Sequence, residues 1–130
     1  MATMAELEGF LTKKFELRKS GEGRYDGTWL TLNNRSQMVL LDVYDGKLDV
    51  YDGKLVVSSP FAKVSELPLP AAMKAAARFV FGVVVYEDHY CLRHVIPLAD
   101  IDESEVEWAL NVISACADQI EQDTVGGDKL

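Results

Sequence analysis

The sequence is short of the residues that most site chemistry needs. It has two cysteines and two histidines. Cys91 and Cys116 lack metal-ligand or redox-motif spacing and stand among apolar neighbours, so they read as buried free thiols. Long apolar runs are missing too: none approaches the roughly 20 residues that span a bilayer, and no charged start followed by an apolar core marks an export signal. The expectation is a cytoplasmic protein without membrane contact. Positive charge is also scarce, with 13 Lys plus Arg against 21 Asp plus Glu and a formal net charge of -8. That balance repels phosphate backbones. The best basic cluster, Lys13, Lys14, Arg18 and Lys19, is interrupted by Glu16, and nucleic acid is not an expected partner. Gly21 and Gly23 lack the preceding strand and following helix of a phosphate loop. No catalytic, cofactor-binding or metal-binding residue is assigned.

What is present suits one domain. The 130 residues are 48% hydrophobic, enough for a single core, expected over 1–123, with 124–130 as a polar, glycine-containing tail. Leu7, Phe10, Leu11 and Phe15 recur at three- and four-residue intervals and predict a helix over Met4–Phe15, weakened by Gly9. The following KSGEGRYDG reads as a turn-rich connection to a strand over Thr28–Leu32.

The seven residues Asp42–Leu48 are repeated as Asp49–Leu55. Each copy places Asp-Gly between strand-forming residues, the pattern of a tight hairpin. The expectation is a meander of Met38–Tyr44, Lys47–Tyr51 and Lys54–Ser58, with Tyr44 facing Lys47 and Tyr51 facing Lys54. It would set Asp42 opposite Asp49, a mildly unfavourable pair. The rival is one copy looped out. A calcium loop of Asp42, Asp45, Asp49 and Asp52 fails because the ligand spacing and terminal Glu are wrong.

SSPFAKVSELPLP reads as a connection into a helix that accommodates Pro70 at its start and ends at Gly82. Met73, Ala76, Ala77, Val80 and Phe81 would cover a sheet, and Lys74 and Arg78 would stay wet. Next comes a hairpin of Val83–Tyr86 and Tyr90–Ile96 turning at Glu87–His89, with His94 and Arg93 on opposite faces. The last helix is the clearest. Asp102 and Glu105 suit its start, and Val106, Ala109, Leu110, Ile113, Ala117 and Ile120 trace one apolar face. Trp108, Val112 and Ala115 widen it into a second stripe, open to core packing, a dimer interface or a bound peptide.

The elements form an α+β chain with an antiparallel sheet and flanking helices in the order α-β-β-β(-β)-α-β-β-α. In that order the chain resembles the type III secretion chaperone-like superfamily, including its YbjN-like and CesT-like branches. The resemblance is greatest over Leu55–Glu121, in LVVSSPF, VVVYEDHYCLRHVIPLADID and EVEWALNVISACADQIE, and TWLTL and MVLLDV are compatible with the earlier strands. It implies a non-enzymatic protein that binds a partner polypeptide, often as a homodimer, through helices and exposed sheet surface, with no shared catalytic residue. The duplicated heptad departs from that pattern, because an inserted strand would reverse the chain that follows.

Three function classes follow. A peptide-binding chaperone or adaptor is the first. A structural subunit that binds its own copy through Trp108 and Val112 or an uncovered strand edge is the second. A small enzyme using Glu87, Asp88 and His89 is the third and the weakest, because a hairpin tip offers no concave pocket.

Overall fold

A computed structural model describes residues 4–31, 34–44 and 53–124. The chain forms an antiparallel six-stranded sheet in the order β1-β2-β3-β4-β6-β5, with helices on one face. The strands are β1 (Arg18–Gly21), β2 (Arg24–Leu30), β3 (Ser36–Tyr44), β4 (Lys54–Lys63), β5 (Gly82–Tyr86) and β6 (His89–Pro97); the helices are α1 (Met4–Gly9), α2 (Leu69–Ala76) and α3 (Glu103–Thr124). The architecture is α+β, an open antiparallel sheet with flanking helices in roughly the order read from the sequence, with β1 as a strand that reading does not contain.

Apolar periodicity placed the first helix correctly, but its winding changes at Gly9. Phe10–Lys14 is π-helical, and the Phe15 N–H donates to the Phe10 carbonyl at 2.8 Å. Leu7, Leu11 and Phe15 are buried all the same. KSGEGRYDG is not a connection. Lys19–Gly21 belongs to β1 and Arg24–Gly27 to β2, joined by a turn in which Gly23 takes φ +69°. These strands alternate weakly because the edge strand β1 is polar on both faces.

The connection expected after Ser58 is also strand. β4 runs on to Lys63, and its ladder with β6 shifts register between Pro60 and Ala62. A bulge admits proline into a sheet because the missing N–H breaks no regular bond there. Between two neighbours β4 is buried on both faces, so period-two alternation is lost.

β3 pairs directly with β4, from Leu40↔Ser58 to Tyr44↔Lys54. The three-strand meander therefore fails in its order: no strand lies between these two, and their other edges are taken by β2 and β6. Lys47–Tyr51 and both partners of the expected Asp45-Gly46 turn lie outside the described residues, as does Asp49. Asp42 instead stands opposite Val56 on one side and Arg24 on the other.

α2 begins with proline in its first turn, as expected, but ends at Ala76 and not at Gly82. The chain then turns so that Phe81 enters the core, while Val80 is left 91% exposed and Met73 is half exposed. Arg78 guides that turn, lying over the Phe79 ring at 4.8 Å and bonding Asp123 at 2.6 Å. α3 matches its reading closely. Asp102 accepts from the Glu105 N–H at 2.9 Å, and all six residues of the expected apolar face are buried against the sheet. A second row on α3 is polar and buried: Ser114, Asp118 and Glu121. Asp118 receives Arg35 Nε at 2.9 and 3.1 Å, which ties α3 to the start of β3.

Candidate functional site

The two edges of the sheet differ in chemistry. β1 is four residues long, exposed and charged, and its Arg18 and Lys19 are already engaged, by Asp26 at 3.1 Å and Glu8 at 2.7 Å. Short strands and charges are how natural sheets blunt an edge. These pairs, with Lys14–Glu103, also occupy most of the basic cluster singled out in the sequence. β5 has no such protection. Its residues are Gly-Val-Val-Val-Tyr, with Val85 57% and Tyr86 41% exposed, and β6 is its sole ladder partner among the described residues.

β6 also outlasts β5. Its ladder with β4 reaches Pro97↔Lys54, whereas its ladder with β5 stops at Arg93↔Gly82. From His94 to Pro97, β6 thus has a strand partner on one side only among the described residues. Beside this stretch lies a groove of about 520 Å3, walled by His94, Val95, Ile96 and Pro97 on one side and by Ser104, Glu105 and Trp108 of α3 on the other.

No protein-family model, curated protein or solved structure matches this chain. Its site must therefore be read from its own geometry.

Three rings join the groove to β5. Phe81, just before β5, lies 5.5 Å from His94 and 6.4 Å from Trp108, and His94 lies 5.6 Å from Trp108 by ring centroids. Burial pushes the His94 pKa below the ordinary histidine value, so the imidazole is neutral near pH 7 and acts as an aromatic surface. Trp108 is half exposed. The exposed Glu105 carboxylate makes no ion pair among the described residues, which gives the groove one acidic corner. The site can thus take extended backbone at the strand edge, apolar side chains on the rings, and a cation beside Glu105.

The second stripe of α3 is divided by the fold. Trp108 reaches the groove, whereas Val112 is partly buried against the core and Ala115 is also half-buried. Glu87, Asp88 and His89 sit at the β5–β6 turn, where Glu87 adopts φ +54° and His89 Nδ1 lies 2.7 Å from the exposed Asp88 carboxylate. His94 and Arg93 occupy opposite faces, as strand parity requires, and only His94 joins the aromatic cluster. Among the described residues no three His, Cys, Asp or Glu side chains cluster as metal ligands, and Asp45, Asp49 and Asp52 lie outside them.

Sequence reasoning missed Phe81, His94 and Glu105 as parts of one site. Local periodicity assigns Phe81 to a helix and Glu105 to a cap, and their proximity comes from α3 crossing beside the end of β6.

Proposed function

We propose that the protein is a non-enzymatic polypeptide-binding domain, a chaperone or adaptor of the cytoplasm, and that the resemblance to type III secretion chaperone-like domains reflects common ancestry. The observation that carries the reading is the unprotected apolar edge of β5, continued by the one-sided stretch His94–Pro97 of β6. A partner segment adds to the β5 edge as a strand, through main-chain hydrogen bonds, and its continuation beyond that edge lays side chains in the groove on Trp108 and its neighbouring rings. The net charge of -8 and the carboxylate of Glu105 favour a segment that alternates apolar and basic residues.

The test is a fluorescence titration of Trp108 with a synthetic peptide alternating valine and lysine, against one alternating valine and glutamate. Saturable binding of the first, roughly tenfold weaker after Glu105→Gln and lost after Val85→Pro, is expected. Equal binding of both peptides, or none, overturns the reading.

A second copy of the chain is the alternative occupant, favoured by one feature. Val83-Val84-Val85 is symmetric about Val84, so two β5 strands pair antiparallel about a two-fold axis without mismatch. A molecular mass that doubles with concentration, and reverts after Val84→Lys, selects this reading over a monomeric adaptor.

A further inference from the structure

The sheet face turned away from the helices holds a separate hollow of about 220 Å3. Strand parity and register place Asp26, Leu40, Ser58 and Arg93 in one row across four strands. Arg24 and Asp42 pair in the adjacent row. The sheet curls around this face, so that Ser20 of β1 and Tyr86 of β5, at opposite edges, both line the hollow.

The charges in it are unequally satisfied. Asp26 is held by Arg18 at 3.1 Å, and Asp42 faces Arg24 Nε at 3.6 Å. Arg93 makes no ion pair among the described residues, and its Nε is buried with no acceptor. Its neighbours in the row are Ser58 and Gly82, which carry no charge. That Nε is an unmet donor in a side chain that is otherwise partly exposed, and an unmet buried donor is costly.

We propose that this hollow binds a small monocarboxylate that also carries a hydrogen-bond donor, of the hydroxy-acid or amino-acid class, with its carboxylate on Arg93. A guanidinium offers a carboxylate two parallel N–H donors. Asp26 and Asp42 on the same wall disfavour a dianion such as phosphate, and their oxygens accept from the hydroxyl or ammonium of the ligand. Ser20, Ser58 and Tyr86 supply hydroxyls that adapt to either role. A hollow of about 220 Å3 suits a small organic acid. The assignment does not rest on polypeptide docking at the β5 edge: Tyr86 borders both sites, but the carboxylate is placed on Arg93 of β6.

The test is an amide and side-chain NMR titration of the full chain with L-lactate, L-alanine, acetate and inorganic phosphate. Lactate or alanine should shift the Arg93 Nε–H, Leu40 and Ser58 signals saturably and more tightly than acetate or phosphate. Arg93→Lys keeps the charge but loses the paired donors, and should weaken binding roughly tenfold. Arg93→Met should abolish binding while leaving the ligand-free melting temperature equal or higher, because a costly unsatisfied donor is removed. Non-saturating shifts alike for all four anions, tighter binding of phosphate than of lactate, unchanged affinity in Arg93→Lys, or a large loss of stability in Arg93→Met would each overturn the assignment.

Discussion

Tyr44 faces Lys54 across the β3–β4 ladder, with the lysine Nζ 5.6 Å from the ring centroid. In a tight hairpin of the second heptad copy, Tyr51 would hold that place. Because the copies are identical, the first copy satisfies the same contacts: Leu41, Asp42 and Val43 meet Val57, Val56 and Leu55. The residues upstream decide between them. The first copy follows Gln37 and Val39, both fully buried, and Gln37 bonds the Pro60 carbonyl. Shifting the second copy into this register would put Gly46 in place of Val39, losing a buried side chain that stabilises by about 2 kcal/mol.

The heptad is therefore surplus to the ladder, and its removal should be tolerated. Residues 45–53 connect the two strands, the length of a two-residue Asp-Gly turn plus one repeat. Deleting 45–51 leaves Tyr44-Asp52-Gly53-Lys54, a tight hairpin in the same register. Shorter loop closure should stabilise by about 1 kcal/mol, seen as a rise of about 4 °C in Tm. A fall in Tm would show that the second copy contributes to the fold.

Gly23 should resist substitution. It holds φ +69°, a Cβ there would stand 2.9 Å from the Val43 carbonyl oxygen, and its own carbonyl accepts from the Val43 N–H at 2.7 Å. Gly23→Ala should cost about 2 kcal/mol through strain and backbone contact together, measured by urea denaturation. Gly9→Ala, with nothing within 4 Å of the added Cβ, is the control and should be neutral or stabilising.

Arg35 and Asp118 should be strongly coupled. Asp118 is 2% exposed and also accepts from Gln122 at 2.8 Å. Asp118→Ala should cost about 3 kcal/mol, because it strips a partner from a largely buried guanidinium. In a double-mutant cycle Arg35→Ala should then add little further loss, giving an interaction energy above about 1 kcal/mol. Strict additivity would mean that the pair is only solvated surface.

His94 should make the protein sensitive to acid. Its folded pKa lies below the unfolded value, owing to burial, so the unfolded chain takes up the proton first as pH falls. Stability present above the ordinary histidine pKa of about 6.5 is lost as pH falls toward the folded value, and the loss then levels off. His94→Phe keeps a ring against Phe81 and Trp108 and should flatten the melting-temperature profile below about pH 6.5. Parallel profiles for the two proteins would place the acid sensitivity elsewhere.

Cys91 is fully buried, with its thiol pushed up to about 11, as apolar neighbours suggested, whereas Cys116 is only partly covered. The difference illustrates the limit of a local reading: apolar neighbours say that a segment is covered somewhere, not how completely.

What the sequence determined by itself was local and periodic. The 3.6-residue recurrence on α3, the alternation along β3 and the β5–β6 hairpin are set by neighbours a few positions apart, so their apolar faces are visible before any packing is known. The tertiary structure alone decided the rest. It paired β3 with β4 across the duplicated heptad, drew Pro60 into a bulged central strand, ended α2 early so that Phe81 could turn inward, and joined Arg35 to Asp118 from distant parts of the chain. It also chose Trp108, and not Val112 or Ala115, as the exposed member of their stripe. The physical reason is common to all of these. Burial and charge pairing depend on which surfaces meet across the sheet, and that is a property of the whole packed chain, whereas periodicity is a property of each segment.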